Sequence, residues 1–192
     1  MKISIDLDNV IFDVEPLFRM AFKGTGKKFR YPTNYDITKC YDEQIASKLM
    51  ELFQSDYLYQ MPVMYPKIPQ VLNGLMQRPD IEMFFVTERT KKQPDKTFRQ
   101  LRNAGIYCSM SQVYDMPGFK PDILKEIAPD VHYDDCPDVV FGCIKRRVPV
   151  VLIRGAKTPY NHYLCEIIEN YRGLLTALNA EGLYNPKQWR HR

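Results

Sequence analysis

Short apolar runs that alternate with helical patterns and end at aspartate or threonine predict an α/β fold, a Rossmann-like parallel sheet with helices on both faces. Two further observations complete the expectation. Residues 15–66 break the alternation: they are rich in aromatics, compatible with helix, and hold no obvious parallel strand. The chain has 192 residues, 45% hydrophobic and 26% charged, enough for one compact core with a small insertion. The expected organisation is a catalytic core of residues 1–14 and 67–192, with a small, mainly helical inserted cap at 15–66. The alternative for 15–66 is an irregular part of the main core.

The elements follow in order. Residues 2–7 alternate around Ile3, Ile5 and Leu7 and read as a strand ending at carboxylates. Residues 82–87 form a second apolar run, ending at Thr87. Residues 92–104 read as a helix, with Phe98, Leu101 and Ala104 on one face and Gly105 as its stop. A short strand is expected at 111–114, and a short helix at 121–127 with proline in its first turn. Residues 131–133 form another strand ending at carboxylates, and 148–153, rich in β-branched residues, form the last. Residues 162–180 carry a helical apolar stripe, read as core packing. The tail from 185 on is polar and basic.

Composition excludes several classes. The formal net charge of +4 suits an anionic ligand but falls short of the basic balance typical of nucleic-acid binders. The five cysteines are odd in number and widely spaced, with no CxxC pair, so neither a zinc site nor a disulfide framework is expected. The N-terminus meets an aspartate at position 6, too early for a signal peptide, and no run approaches the ~20 apolar residues of a membrane span. A cytoplasmic protein with reduced thiols and no membrane partner is the expectation.

The chemistry-bearing residues gather where strands end. In open α/β sheets ligands bind beyond the carboxyl ends of the strands. Asp6 and Asp8 follow the first strand, Thr87 ends the second, Lys120 precedes the 131–133 strand, and Asp134 and Asp135 follow it. An Asp-x-Asp pair alone decides nothing, because about one is expected by chance in a chain with this many aspartates. The ordered set decides more than any of its members.

That set carries a resemblance. Asp6-Leu7-Asp8-Asn9-Val10 resembles the first motif of the haloacid dehalogenase (HAD) superfamily of phosphohydrolases. Phe85-Val86-Thr87 resembles its second motif, and Lys120 in Gly118-Phe119-Lys120-Pro121 its third. Asp134-Asp135-Cys136-Pro137-Asp138 resembles the fourth, so the likeness runs from residue 1 to about residue 154. The first motif, the modest early insertion and the Asp-Asp-x-Pro-Asp string together are most similar to the cytosolic-type 5′(3′)-deoxyribonucleotidases.

The resemblance implies a Mg²⁺-dependent phosphomonoester hydrolase. Asp6 is then the nucleophile that becomes an aspartyl phosphate, and Asp8 the general acid and base. Thr87 and Lys120 hold the phosphate. Asp6, the backbone carbonyl of Asp8 and Asp135 are the implied metal ligands, with Asp134 as alternative ligand or supporting partner. The implied substrate is a small phosphorylated molecule, a (deoxy)nucleoside monophosphate. Cap aromatics would stack on its base, while Asn34, Asp36 and Thr38 offer polar contacts to its base or sugar edge. The rival readings are a phosphatase for a sugar phosphate or a nucleic-acid end, and a non-catalytic phospho-ligand or protein-binding module. Nothing in the sequence bears on oligomeric state.

Two positions depart from the family pattern. Asn9 stands where the superfamily usually has Gly, and Asn tolerates the left-handed backbone that such a turn needs. Glu88 stands where the nucleotidases carry a second small hydroxyl residue; it would repel phosphate unless turned away or paired, with Arg89 as the adjacent candidate. Other signals fail. Gly24-Thr25-Gly26-Lys27-Lys28 lacks the spacing, the following hydroxyl and the preceding strand of a phosphate loop. His132 reads as structural, and the basic runs at 91–102 and 145–147 as solvated faces rather than nucleic-acid contacts.

Overall fold

The computed structural model describes residues 1–89, 93–115, 118–153 and 157–164. From residue 165 on, the apolar stripe expected at 162–180 lies outside the described residues, as do Lys91, Lys92 and the basic tail. Five parallel strands form one sheet: β1 (Lys2–Ile5), β2 (Glu82–Thr87), β3 (Val113–Asp115), β4 (Val131–Asp134) and β5 (Val150–Leu152). Their spatial order is β3-β2-β1-β4-β5. The chain therefore builds outward from β1 on one side, then crosses to build on the other. The switch point falls between β1 and β4, paired through Ile3–Val131 and Ile5–Tyr133, and a crevice opens at such a point.

Alternation along the strands assigns the two faces. Met83 and Phe85 of β2 enter one apolar cluster, while Phe84 and Val86 enter the other. The second cluster is closed by α5 (Lys120–Ile127) and α6 (Pro137–Arg146), through Leu124, Val139, Val140 and Cys143. Gly142 is required there: a Cβ would fall 2.5 Å from Pro121 and 2.7 Å from Phe119. Both helices begin with proline in the first turn and end at a left-handed residue, Ala128 and Arg147.

The first cluster is larger. It joins α3 (Ile68–Met76) and α4 (Pro94–Asn103) to α1 (Glu15–Phe22) and α2 (Glu43–Phe53) of the early insertion. Leu17, Phe18, Ala21, Phe22, Tyr41, Ile45 and Leu49 pack in one body with Ile3, Met83 and Phe85. Residues 15–66 thus share the sheet's core while keeping aromatic packing of their own, with Phe18 edge-on to Tyr41 and Phe53, and Phe22 edge-on to Phe29 and Tyr41. Its ends meet in an antiparallel bridge between Phe12 and Val63, where Asp13 N donates to Pro62 O and Met64 N to Ile11 O.

β1 and β5 are shorter than their apolar runs, whereas β2 matches its run and β4 extends one residue further to Asp134. The strand expected at 111–114 starts at Val113, after a 3-10 turn at Met110–Gln112. Helix α4 buries Thr97 and Gln100 beside Leu101 and ends before Gly105, whose φ is +81°. The apolar stripe of Phe98, Leu101 and Ala104 gives no sign of these buried polar groups, which meet the Arg89 side chain. No helix among the described residues is long and apolar enough to cross a membrane. Cys40, Cys108, Cys136 and Cys143 are free and buried.

Candidate active site

The crevice at the switch point holds a cavity of about 270 Å³. Its floor is Asp6, Asp8, Asn9, Thr87, Glu88, Arg89, Lys120, Asp134 and Asp135. Five strand-end residues expected to converge, Asp6, Asp8, Thr87, Asp134 and Asp135, therefore do so, together with Lys120 from the first turn of α5. After β1 the chain makes a tight loop in which the N–H groups of Ile11 and Phe12 donate to Leu7 O and that of Asn9 to Phe12 O. Asn9 takes φ +60° there, the left-handed conformation that a β-branched residue would resist.

Lys120 is the electrostatic centre. Its buried Nζ lies 2.6 Å from Asp6 Oδ1 and 2.8 Å from Asp134 Oδ2. Burial disfavours its charge, but Asp134 and Asp6 outweigh that and hold its pKa well above the ordinary lysine value. Asp134 holds three donors in all. It also accepts from Cys136 N at 2.8 Å and from His132 Nε2 at 2.8 Å. Burial pushes its pKa up, yet Lys120 and His132 prevail and hold it down at about 2. An ionised Asp134 assigns the Nε2–H tautomer to His132, whose Nδ1 then accepts from Ser4 Oγ at 2.9 Å. His132 thus forms the underside of the site rather than ordinary strand packing.

Asp135 is held differently. Asn9 Nδ2 at 3.0 Å and Tyr160 Oη at 2.8 Å both donate to the same oxygen, Oδ2. Asn161 Nδ2 donates to its backbone carbonyl. No hydrogen bond among the described residues engages its Oδ1. Burial and repulsion from Asp134 raise its pKa to about 7, and burial raises that of Asp6 well above the usual carboxylate range. Asp6, Asp134 and Asp135 offer carboxylate oxygens all within 4.8 Å of one another. Fully ionised, the three carboxylates would exceed the Lys120 ammonium by two negative charges, a repulsion that together with burial raises Asp6 and Asp135, and the donors are hard oxygens. A divalent cation such as Mg²⁺ fits that set.

Two neighbours of Thr87 behave unlike the sequence expectation. Glu88 does not pair with Arg89. Its carboxylate accepts from the backbone N–H of Lys120, at the N-terminus of α5; burial raises its pKa, and that hydrogen bond and the Lys120 charge offset the rise in part. Arg89 turns the other way and forms a bidentate pair with Asp8, Nε to Oδ2 at 3.0 Å and Nη2 to Oδ1 at 2.7 Å. It explains the buried polar face of α4, because Nη1 donates to Gln100 Oε1 at 2.8 Å and to Thr97 Oγ1 at 3.4 Å.

The rest of the cavity wall is Phe18, Pro32, Tyr35, Ile37, Met50, Phe53 and Leu58 from residues 15–66, with Cys136 and Tyr160 beside them. Asn34, Asp36 and Thr38 are not among the lining residues. They bond to one another: Asp36 N donates to Asn34 Oδ1 at 3.0 Å, and Thr38 N and Oγ1 donate to Asp36 Oδ1 at 3.1 and 2.6 Å. Lys39 pairs with Asp36. The trio closes an exposed turn whose intervening residues, Tyr35 and Ile37, face the cavity. Sequence reasoning missed Tyr160, Asn161 and the positions of Arg89, Thr97 and Gln100. Only Arg89, two residues beyond a strand-end threonine, carried a signal.

No family model matches the chain, and no curated protein does. Among solved structures it is similar to a haloacid dehalogenase-like hydrolase from Streptococcus pneumoniae, with TM-score 0.55 and 16% identity over 88% of this chain and 97% of that one. Weaker likenesses, with TM-scores of 0.41 and 0.40, are to a HAD-superfamily hydrolase of subfamily IA from Geobacter sulfurreducens and to the HAD domain of the effector Lem4 from Legionella pneumophila. The first is 16% identical over 79% of this chain and 88% of that one; the second is 11% identical over 92% and 96%. The parallel five-stranded sheet with helices on both faces is thus the fold of the haloacid dehalogenase-like hydrolases.

Proposed function

We propose that the chain is a Mg²⁺-dependent phosphomonoester hydrolase acting through an aspartyl phosphate on Asp6, with nucleoside monophosphates as substrates. One observation carries the reading: Asp6, gripped by Lys120, lies beside Asp135 at the switch point, with the Asp8 carboxyl two residues away and a mostly apolar wall opposite. An Asp6 oxygen attacks phosphorus while the ester P–O bond breaks, and its electron pair leaves with the oxygen. Asp8 protonates that oxygen. Asp8 then takes a proton from water, which attacks phosphorus, breaks the bond to Asp6 and releases phosphate. Thr87 and Lys120 hold the phosphoryl oxygens. Mg²⁺, when bound, supplies positive charge against those oxygens. Its protein ligands would be Asp6, the Asp8 carbonyl and Asp135; the three donors already on Asp134, one of them an ammonium, favour Asp135.

The wall favours the nucleotide reading over the sugar phosphate. Phe18, Pro32, Ile37, Met50, Phe53 and Leu58 present carbon to the leaving group, which suits a flat base better than a polyol. In this reading residues 15–66 act as the cap that selects the substrate and excludes water. The test is a panel of nucleoside monophosphates, sugar phosphates and aryl phosphates, with and without Mg²⁺, run beside Asp6→Asn. Mg²⁺-dependent turnover, highest on nucleotides and lost in the folded variant, is expected. A folded Asp6→Asn protein with near-normal turnover would exclude the aspartyl-phosphate route. Failure of the wild type on every ester would favour a non-catalytic binding module.

A further inference from the structure

The geometry around Arg89 reaches further than an ion pair. Four of its five N–H groups are used in one buried arrangement: two on the Asp8 carboxylate, one on Gln100 Oε1 and one on Thr97 Oγ1. Thr97 is itself fixed, because its hydroxyl donates to Asp115 Oδ2 at 2.6 Å. Gln100 is fixed from the other side: Nε2 donates to the carbonyls of Leu58 at 3.2 Å and Met61 at 3.5 Å. The Tyr59 ring lies 5.0 Å from the guanidinium carbon. The side chain of Asp8 is thereby tied, through one guanidinium, to α4, to β3 and to the returning end of the insertion.

We propose that Arg89 is the positioning residue of Asp8: its fork fixes the plane and reach of that carboxyl so that the leaving oxygen is protonated as its bond to phosphorus breaks. The inference rests on the phosphohydrolase reading above. The fork occupies one lone pair on each Asp8 oxygen, so the acid form of Asp8 can carry on a remaining lone pair the proton that passes to the leaving oxygen. A lysine could not substitute. Its single nitrogen cannot serve both Asp8 oxygens and Gln100 in one plane. The arrangement also means that a displacement of the Leu58–Met61 backbone moves the carboxyl that delivers the proton.

A purely structural ion pair and a positioning residue differ in one measurable respect. Proton delivery matters for a poor leaving group and little for one that departs as a stable anion. kcat/KM is therefore measured with saturating Mg²⁺ on a series running from phenyl phosphate to dinitrophenyl phosphate. The proteins are the wild type, Arg89→Lys, Arg89→Met and Gln100→Met, with Asp8→Asn as the reference for complete loss of acid catalysis. Both Arg89 variants are expected to lose at least about tenfold more on phenyl than on dinitrophenyl phosphate, approaching the Asp8→Asn dependence. Gln100→Met should shift the same way by less. Equal losses across the series in a variant that keeps its circular dichroism spectrum, or a lysine variant with the wild-type dependence, would overturn the proposal. Should Arg89→Met not fold, Arg89→Lys and Gln100→Met, which keep the buried charge, give the same reading. A wild type with no Mg²⁺-dependent activity would instead refute the phosphohydrolase reading itself.

Discussion

Replacing Asp135 by asparagine should stabilise the metal-free protein, and the gain should depend on pH. Both donors to the Asp135 side chain, Asn9 Nδ2 and Tyr160 Oη, reach the same oxygen. An amide placed with its carbonyl oxygen there keeps both bonds and puts its NH₂ where Oδ1 stood, so the substitution removes charge without removing partners. The charge is costly, since burial and Asp134 raise the folded pKa from 3.8 to about 7. The folded state therefore holds its proton more tightly than the unfolded chain. Stability is lost as pH rises from about 4 to about 7, then stays level. At ~1.36 kcal/mol per pH unit the full penalty is about 4 kcal/mol, an order-of-magnitude figure. For a chain of this size that corresponds to roughly 8–16 °C in Tm. Thermal unfolding with a chelator at about pH 8 should show the variant melting several degrees above wild type, with the gap closing near pH 4. Adding Mg²⁺ should raise the wild type and leave the variant nearly unmoved. A variant that melts at or below the wild type at the higher pH, or a gap that ignores pH, would refute the account of Asp135 as an uncompensated buried charge.

Three other outcomes follow from the same geometry. Lys120→Met should cost about 3–5 kcal/mol in denaturant unfolding without Mg²⁺, because it strips the buried Asp6 and Asp134 of their shared ammonium, leaving Asp134 only the donors from His132 and Cys136. Asp135→Ala should weaken Mg²⁺ binding by calorimetry more than Asp134→Ala does, whereas Asp134→Ala should be the less stable protein, since it strands donors on Lys120, His132 and Cys136. Tyr35→Ala should shift preference among nucleoside monophosphates without a matching loss on an aryl phosphate. Alanine at Asn34, Asp36 and Thr38 together should change that preference less, because those side chains bond within their own turn.

Sequence alone determined where the chemistry-bearing groups stand along the chain. Asp6, Thr87 and Asp134 each follow an apolar run directly, and in a parallel sheet such positions share one edge whatever the intervening helices do. The two-residue alternation of β2 was equally legible, and so was the stop at Gly105. Where a loop side chain points was not. Arg89 is adjacent to Glu88 but bonds to Asp8, 81 positions away, and Glu88 bonds to the start of α5. Asn34, Asp36 and Thr38 were expected toward the substrate, yet Tyr35 and Ile37 between them line the cavity. Loop residues lack the periodicity that assigns faces in helices and strands, so their directions are set by whichever distant partners remain unsatisfied once the core has packed. The tertiary structure likewise decided that Tyr160 and Asn9 grip one oxygen of Asp135, and that the buried carboxylates of Asp6 and Asp134 share a single lysine. Those contacts join segments far apart in the chain, and only folding brings their charges close enough to interact.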